Sequence, residues 1–375
     1  MSLDSQDHIW IEQIRQRIDT AEALSRYVAP TPSELKGIAH APQVFRWAIT
    51  PYYASLMHRN DPEDPIRKQA VPRAEELADE LGVPDPLQED VNSPAPGIIR
   101  VYPDRLAFCV TNHCATYCRF CLRKRNAQQA DRHLSPAALA AGIDYIRAHP
   151  EIRDVLVTGG DPLLFGDLQI ESLLSRLRAI PHLEILRLGT RTPCTLPQRI
   201  TPKLCDLLQR FHPLWINLHF NHPRELTEET TAACDRLLRA GIPLGNQSVL
   251  LRGINDDPVV MKELVQGLVK LRVRPYYLYQ CQTLSGTEHF RVPIEKGIEM
   301  MRQLRGFTTG FAVPTYVLDT PYGKVPMAPN YLLGREGDDV LLRSWQGHIW
   351  REPNPLDDEL ISPLPPPCLE KKKVC

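Results

Sequence analysis

Three cysteines stand close together in the sequence, at Cys114, Cys118 and Cys121. Zinc sites usually have four protein ligands, whereas this C-x3-C-x2-C run supplies three thiolates. Three thiolates can hold three irons of a [4Fe–4S] cluster and leave the fourth iron open, unlike the all-cysteine clusters of electron carriers. An open iron can chelate the amino and carboxyl groups of S-adenosylmethionine and transfer one electron, which generates a 5′-deoxyadenosyl radical. The alternative is three buried structural cysteines, which so tight a spacing disfavours.

An aromatic residue, Phe120, precedes the last of these cysteines, and a basic run follows it at 123–125. The cysteine pattern resembles that of the radical S-adenosylmethionine superfamily, and its continuation resembles the lysine 2,3-aminomutase family. The resemblance extends from about Trp10 to about Trp350. It implies a partial (β/α) barrel and a 2,3-aminomutase that uses a [4Fe–4S] cluster, S-adenosylmethionine and pyridoxal 5′-phosphate.

Glycine and polar residues further along the chain could contact S-adenosylmethionine. Gly159 and Gly160 let the backbone approach a ligand closely, and Asp161 could accept a hydrogen bond from an ammonium group. The resemblance assigns these three residues to the methionine moiety and suggests that His219 touches the same cofactor. Gln247 is an amide within an apolar stretch, where a buried amide needs a partner. The alternatives are an ordinary Gly-Gly turn at 159–160 and a purely structural amide network at 246–247.

The segment that leads to Lys324 resembles the family's pyridoxal-lysine loop. It reads Asp319-Thr-Pro-Tyr-Gly-Lys324. The resemblance implies that Lys324 is catalytic and carries pyridoxal phosphate as a Schiff base, activated by desolvation. The glycine run before this lysine is shorter than in the family and contains Tyr322, which leaves the loop geometry open. The further cofactor contacts that the resemblance suggests are Tyr102, Arg105, Asn246 and Tyr279.

Three residues are candidates for binding an amino-acid substrate. Arg123 would clamp its carboxylate through two parallel hydrogen bonds; the alternative is an exposed residue in a basic run. The family's lysine enzymes place two carboxylates at the distal ammonium of the substrate, but here only Asp319 is a carboxylate and the other position holds Gln282. Asp319 should repel a negatively charged side chain. One carboxylate and one amide oxygen leave lysine and arginine both open, with lysine first because of the resemblance.

Many family members also have a zinc site, formed by a cysteine after an Asn-Asp turn and by a C-terminal cysteine cluster. Here the turn reads Asn255-Asp256-Asp257, and the C-terminal segment contains only Cys368 and Cys375. Two thiols do not supply four ligands, so we expect no structural zinc.

The composition argues against several classes of protein. The 375 residues include 44 basic and 45 acidic side chains, a net charge of −1, so we expect neither nucleic acid nor a membrane surface as a partner. No apolar run approaches the roughly 20 residues of a membrane span, and the first residues lack the pattern of a secretory signal. Ten cysteines in a chain of this length do not form a disulfide scaffold. We expect a cytoplasmic homo-oligomer that receives electrons from a reductant such as flavodoxin or ferredoxin.

A regular alternation of strand and helix patterns predicts the scaffold for these residues. Apolar, β-branched runs are centred near Phe108, Val155, Ile185, Ile216, Val249, Leu278 and Phe311. Helical patterns separate them at 135–149, 168–180, 201–211, 225–240, 258–271 and 293–304. Such repeats indicate βα units, and hence an α/β fold with an incomplete (β/α)6-type barrel whose sites lie at the carboxyl ends of the strands. That rule selects residues 158–161, 191–192, 219–222, 246–247 and 280–282.

Four divisions of the chain follow from this pattern and from the proline-rich loop that precedes residue 97. We predict an N-terminal helical cap at 1–96, a radical S-adenosylmethionine partial barrel at 97–310, a pyridoxal-phosphate-lysine segment at 311–350, and a flexible proline-rich tail at 351–375.

The function that these features favour is a radical aminomutase that moves the α-amino group of a free, cationic L-amino acid to the β-carbon. Two alternatives keep the same chemistry: arginine as the substrate, or a lysine side chain of a protein such as a translation factor. An alternative of another class is a non-catalytic iron–sulfur protein, which the count of three cysteines and the presence of Lys324 disfavour.

Overall fold

The structure is a computed structural model that describes residues 5–128 and 130–354. Within these residues the helices are α1 (Ser5–Arg15), α2 (Ala21–Ser25), α3 (Pro32–Val44), α4 (Pro51–Ser55), α5 (Pro65–Ala70), α6 (Pro136–Ala148), α7 (Asp167–Arg178), α8 (Thr192–Thr195), α9 (Pro202–Leu208), α10 (Glu228–Arg239), α11 (Pro258–Lys270) and α12 (Ile294–Leu304). The strands are β1 (Ile98–Ile99), β2 (Arg105–Thr111), β3 (Asp154–Gly159), β4 (Ile185–Gly189), β5 (Leu214–Leu218), β6 (Leu244–Leu250), β7 (Arg274–Gln280), β8 (Thr315–Thr320), β9 (Gly323–Pro326), β10 (Leu332–Glu336), β11 (Asp339–Arg343) and β12 (Ile349–Pro353).

Strands β1 to β9 form one sheet in the order in which they occur in the sequence. Strands β2 to β8 pair in parallel, and helices connect them. Strands β1 and β9 pair antiparallel at the two edges, each with its own neighbour and not with the other. The sheet is therefore a curled, open half-barrel, which confirms the predicted α/β fold with an incomplete barrel.

Capping residues fix the start of four helices that follow strands of the half-barrel. Ser135, Thr201, Thr227 and Asp257 each accept hydrogen bonds from backbone N–H groups of the first turn. A cap of this kind pairs backbone N–H groups that the helix itself leaves without a partner. Serine, threonine and aspartate are therefore favoured just before a helix, and they indicate its start in the sequence. These helices accordingly begin close to their predicted positions.

The predicted position of the seventh parallel strand is wrong by several residues. Phe311 lies in a short 3-10 turn (Gly310–Ala312) and is 55% exposed, whereas β8 begins at Thr315. Pro314 directly precedes the strand, and proline has no N–H to donate to a sheet. Pairing with β7 therefore starts only after the proline.

The two faces of the sheet differ in character because alternate side chains point to opposite sides. Aliphatic residues such as Val155, Val157, Leu186 and Leu188 are buried in the main core. In β6, Asn246 and Ser248 are buried, while the residues between and beside them are partly exposed. The residues that alternate with these buried ones, such as Gln247, lie on the inner side of the half-barrel.

Five α-helices precede β1 within the described residues, and a buried ion pair joins two of them. Thr31 and Glu34 form a capping box at the start of α3. Glu34 also accepts a hydrogen bond from Arg67 Nε at 2.6 Å, and neither side chain of this ion pair is exposed. A buried pair of this type is stable only with good geometry on both sides, so it fixes α3 against α5.

A second compact unit follows Ala328. Up to residue 354 it consists of an antiparallel sheet in the order β10-β11-β12. Residues 355–375 of the predicted tail lie outside the described residues, and the predicted divisions of the chain stay predictions. Of the described helices, none has the length and the apolar character needed to cross a membrane.

Gly297 of α12 provides a test of how tightly the helices pack on the sheet. A Cβ at this position would lie 2.2 Å from Cζ of Tyr316, whose side chain is only 1% exposed and has no room to move. We expect Gly297→Ala to lower the free energy of unfolding by about 1–3 kcal/mol, the usual cost of overpacking. Gly310→Ala is the matched control, because its Cβ would meet no atom within 4 Å. Urea unfolding of both variants measures the difference, and equal stabilities would contradict the prediction.

Candidate active site

A cavity of about 640 Å³ lies on the inner side of the half-barrel. It brings together residues that are far apart in the sequence, from Leu87 before β1 to Lys324 of β9. All of the predicted site residues except Asn246 line it: Tyr102, Arg105, Cys114, Cys118, Cys121, Arg123, Gly159, Gly160, Asp161, His219, Gln247, Tyr279, Gln282, Asp319 and Lys324.

The loop that carries the three cysteines is held by the N-terminal helical region. The Tyr117 N–H donates to Ala48 O at 3.0 Å, and the Arg119 N–H donates to Gln69 O at 2.9 Å. The Arg119 side chain, 1% exposed, donates to both carboxylate oxygens of Glu76 at 2.8 and 2.7 Å. Because its main chain and its side chains are both fixed, the loop presents the cysteines in one arrangement.

Gly159 and Gly160 lie where the end of β3 meets the start of the cysteine loop. A Cβ on Gly159 would lie 2.3 Å from Thr111 O, and one on Gly160 would lie 2.4 Å from His113 O. Gly159 also has a φ of +125°, which disfavours other residues. The two glycines therefore permit a close backbone approach, in addition to lining the cavity.

The Asp161 carboxylate is held by hydrogen bonds from neighbouring residues of the protein. Its carboxylate accepts hydrogen bonds from Thr190 Oγ1 at 2.7 and 2.8 Å and from the Arg191 N–H at 2.8 Å. Burial raises the pKa of Asp161 above its usual range, although these hydrogen bonds act in the opposite direction. Asp161 thus connects the ends of β3 and β4 at the wall of the cavity.

His219 lies beside Phe120 of the cysteine loop, with the ring centres 5.6 Å apart. Burial, together with the charge of Arg191, lowers the pKa of His219 to about 3, so the ring is neutral. Its Nε2 atom is buried and has no hydrogen-bond partner. A ligand in the cavity could supply that partner.

Asn246 and its neighbour Gln247 point to opposite sides of β6. Gln247 lines the cavity. The Asn246 amide instead accepts a hydrogen bond from the Phe220 N–H at 2.8 Å and donates to Phe220 O at 3.1 Å and Ser248 Oγ at 2.8 Å. Because adjacent residues of a strand face opposite sides, the Asn246 side chain lies away from the cavity. The cofactor contact expected of Asn246 stays a prediction.

Lys324 is placed by a tight hairpin between β8 and β9. Asp319 is opposite Lys324 in the register of the two strands, and Lys324 Nζ donates to Asp319 Oδ1 at 3.0 Å. Gly323 has a φ of +117°, and a Cβ there would lie 2.9 Å from the Tyr102 hydroxyl. Tyr322 is 75% exposed and does not line the cavity. The shorter loop therefore directs Lys324 inward and Tyr322 outward.

Aromatic residues surround Lys324. Its backbone N–H donates to the Tyr102 hydroxyl at 2.7 Å, and Nζ lies 5.5 Å from the ring centre of Tyr279. The Arg105 guanidinium stacks on the Tyr102 ring at 3.7 Å. Burial, followed by the charge of Asp319, raises the pKa of Tyr279 well above its usual value, so its phenol remains a hydrogen-bond donor.

Arg123 and Gln282 lie at other parts of the cavity wall. Arg123 Nη2 pairs with Glu89 Oε1 at 2.8 Å, while Arg123 Nε is buried without a hydrogen-bond partner. Gln282 Nε2 donates to the main-chain oxygen of Asp319 at 3.1 Å. A carbonyl oxygen can only accept a hydrogen bond, so the atom of the Gln282 amide that contacts it is the nitrogen. The Gln282 side-chain oxygen is then a separate hydrogen-bond acceptor near Asp319.

Comparison with known proteins identifies the family. A model described as "Radical SAM superfamily" matches residues 108–265, and one described as "Lysine-2,3-aminomutase" matches residues 301–362. An L-lysine 2,3-aminomutase of Clostridium subterminale is 52% identical, over 93% of this chain and 84% of that protein. A glutamate 2,3-aminomutase of Clostridioides difficile is 49% identical, over 90% of this chain and 80% of that protein.

The chain belongs to the lysine 2,3-aminomutase family of radical S-adenosylmethionine enzymes. It is accordingly an isomerase. Membership of this family implies a [4Fe–4S] cluster, S-adenosylmethionine and pyridoxal phosphate as cofactors.

The thiols fit an iron–sulfur cluster. Burial, followed by neighbouring charges, raises the pKa of Cys114 well above its usual value and that of Cys121 to about 11. Thiolates at Cys114 and Cys121 are stable together only beside a strong positive charge, which cluster irons would supply. Among the described residues, no group of three His, Cys, Asp or Glu side chains is placed to hold a single metal ion. A cluster does not need that arrangement, because each cysteine binds a different iron.

The cavity also contains functional candidates that the sequence analysis did not assign. Glu89 is 5% exposed and pairs with Arg123, and Asn217 presents a buried Nδ2 atom without a partner. Arg191 contacts Cys118. The strand-end rule had selected residue 191, but nothing local to Glu89 or Asn217 distinguishes them from ordinary polar residues.

The arrangement predicts which cysteines are essential. We expect replacement of Cys114, Cys118 or Cys121 by Ala to abolish the cluster, because three irons need three thiolates. Cys109→Ser is the control: this thiol is on β2, does not line the cavity, and should not be needed. Iron and sulfide analysis after anaerobic reconstitution measures the outcome. A full load of both elements in Cys118→Ala would refute the assignment.

Proposed function

We propose that the protein is a 2,3-aminomutase that moves the α-amino group of a free, cationic L-amino acid to its β-carbon. The observation that carries this proposal is that one cavity contains the three cysteines together with Lys324, Asp319 and Gln282. Lysine is the first candidate substrate because the relatives include L-lysine 2,3-aminomutases. We also expect an external reductant such as flavodoxin or ferredoxin, a homo-oligomer, and a cytoplasmic location.

When bound, the cluster with S-adenosylmethionine would supply a radical able to remove a hydrogen atom, and pyridoxal phosphate would supply a ring that delocalises unpaired spin. The residues of the chain then have positioning roles. Lys324 would anchor pyridoxal phosphate, with Arg105 and Tyr102 at its phosphate. Arg123, whose Nε atom has no partner, would bind the substrate carboxylate while Glu89 keeps the guanidinium in place. Holding the reacting groups in one geometry is itself a large part of catalysis.

The charge near Lys324 indicates the class of substrate. Asp319 is the carboxylate beside Lys324 Nζ, and Gln282 contributes a neutral acceptor next to it. Like charges a few ångströms apart repel by about 4 kcal/mol at an effective dielectric constant of 20. A substrate with a negative side chain is therefore disfavoured at this end of the cavity, although a relative is a glutamate 2,3-aminomutase.

Arginine is the second candidate, and the orientation of Gln282 favours it. Because the Gln282 nitrogen is held by Asp319 O, its oxygen and the Asp319 carboxylate offer two acceptors from neighbouring strand ends. A guanidinium presents several donors in a planar fork that two separate acceptors can satisfy, whereas an ammonium is a compact point charge.

The experiment that tests the proposal is anaerobic incubation with S-adenosylmethionine, a reductant, pyridoxal phosphate and single amino acids. Mass spectrometry with isotope-labelled lysine, arginine and glutamate should detect a β-amino isomer of a cationic substrate and none of glutamate. A folded translation factor, added in parallel, tests the alternative of a protein lysine side chain. Isomerisation of the protein substrate alone would refute a free amino acid.

Lys324 can be tested without turnover. Borohydride reduction of the pyridoxal phosphate-loaded protein, followed by peptide mapping, should place the pyridoxyl group on Lys324. Lys324→Ala should lose this label but still cleave S-adenosylmethionine slowly, because the cysteines are intact. Lys270→Ala, at an exposed position of α11, is the matched control and should keep the label. A label on any other lysine of the parent protein would contradict the assignment.

The proposed substrate pocket predicts a different kinetic effect for each of two substitutions. Asp319→Asn should lower kcat/KM for the cationic substrate about 10- to 100-fold, since a hydrogen bond to a charged group contributes about 1.5–3 kcal/mol and 1.4 kcal/mol is tenfold. Gln282→Asp should raise the ratio of lysine to arginine turnover, because a second carboxylate favours the compact ammonium.

Asp206→Asn and Gln266→Asp, both at exposed helix positions, are the matched controls for these two variants. The measurement is kcat/KM of all four variants on both amino acids. An unchanged lysine-to-arginine ratio in Gln282→Asp would show that Gln282 does not face the substrate side chain.

A further inference from the structure

Arg191 connects the cysteine loop to a fully buried carboxylate. It directly precedes α8 at the end of β4, and it is 9% exposed. Its Nη1 atom lies 2.6 Å from Cys118 Sγ, and its Nη2 atom lies 2.8 Å from Glu225 Oε1. Glu225 is 0% exposed. One guanidinium therefore donates to a cysteine sulfur at one end and forms a buried ion pair at the other.

The guanidinium is fixed in this orientation by further contacts. Nη2 also donates to Gln69 Oε1 at 2.6 Å and to the Tyr53 hydroxyl at 3.1 Å. Its carbon lies 5.4 Å from the ring centres of both Tyr53 and Phe120. Because arginine is planar and its donors are rigidly spaced, these contacts also determine where Nη1 points.

A buried donor with a positive charge has a defined effect on an iron–sulfur cluster. Reduction adds one electron to the cluster and makes it more negative, while each cysteine sulfur stays bound to its iron. Hydrogen bonds to the sulfurs and nearby positive charge stabilise this reduced form. Glu225 offsets part of the charge of Arg191, but Nη1 donates directly to the sulfur, and solvent and salt screen a buried donor only weakly.

We propose that Arg191 is a positioning residue for the Cys118 thiolate and raises the reduction potential of the cluster. This role would make the cluster easier to reduce before it transfers an electron to S-adenosylmethionine. The inference rests on cluster ligation by Cys118, as proposed above. The iron content of Cys118→Ala tests that ligation separately, so the two proposals can fail independently.

The test is a redox titration of the reconstituted full-length protein with dithionite, followed by electron paramagnetic resonance, without S-adenosylmethionine. Arg191→Gln should lower the equilibrium constant for one-electron reduction at least tenfold, which corresponds to 59 mV. Arg191→Lys should lower it less, because the charge remains but the fork that spans Cys118 and Glu225 is lost.

Arg199→Gln is the matched control. Arg199 is also buried, with 0% exposure, and donates to Leu163 O at 2.7 Å, but it does not line the cavity. The reduction potential of the cluster in Arg199→Gln should equal that in the parent protein, even if the substitution lowers the stability of the fold.

Three results would overturn the proposal. The first is an unchanged potential in a fully iron-loaded Arg191→Gln. The second is a shift that occurs only after S-adenosylmethionine is added, because Arg191 would then act on that molecule and not on the thiolate. The third is loss of the cluster from both Arg191 variants while Arg199→Gln retains it, because Arg191 would then be required for cluster assembly.

Discussion

The architecture of the site depends on one buried carboxylate, that of Glu225. Its oxygens accept hydrogen bonds from the Tyr53 hydroxyl, Gln69 Nε2, Arg191 Nη2 and the N–H groups of Asn221 and His222, at 2.7, 3.2, 2.8, 2.6 and 3.0 Å. Burial favours the neutral acid, but the charge of Arg191 and these hydrogen bonds lower the pKa of Glu225 below its usual value. A buried ion is stable only while its partners stay in place. Glu225 therefore joins the N-terminal helices to the ends of β4 and β5 behind Cys118.

A second charge pair organises the opposite end of the cavity. Lys324 and Asp319 face each other across the hairpin and neutralise each other in the absence of ligands. If pyridoxal phosphate binds the Lys324 nitrogen as proposed, Asp319 would lose this ion pair, and an unpaired carboxylate in a partly buried site is costly. A cationic substrate side chain would restore the balance. The same pair thus explains both how the lysine is held and why the proposed substrate is positively charged.

The sequence predicted those features that depend on local spacing. The cysteine run, the βα repeats and the hairpin lysine are each defined by residues close together in the chain, and the structure brings them to one cavity. The predicted position of the last parallel strand was wrong, because Phe311 precedes the strand and Pro314 delays it. Exact register is equally hard to predict for Asn246, since a shift of one residue reverses the side of a strand on which a side chain lies. The place of Glu89 in the site could not be predicted, because it depends on the ion pair with Arg123. No motif or spacing in the sequence connects these two residues.

The N-terminal helices show most clearly why contacts between distant parts of the chain cannot be predicted from the sequence. Nothing in residues 1–96 pointed to chemistry, yet Arg17 Nη1 donates to Cys114 O at 2.7 Å, and the main chain at 48 and 69 receives the N–H groups of the cysteine loop. Three cysteines on a loop without such support would be mobile, and a cluster with an open iron requires them at fixed corners. The helical region is therefore a structural support of the active site. It determines the geometry of the thiolates without contributing a reactive group.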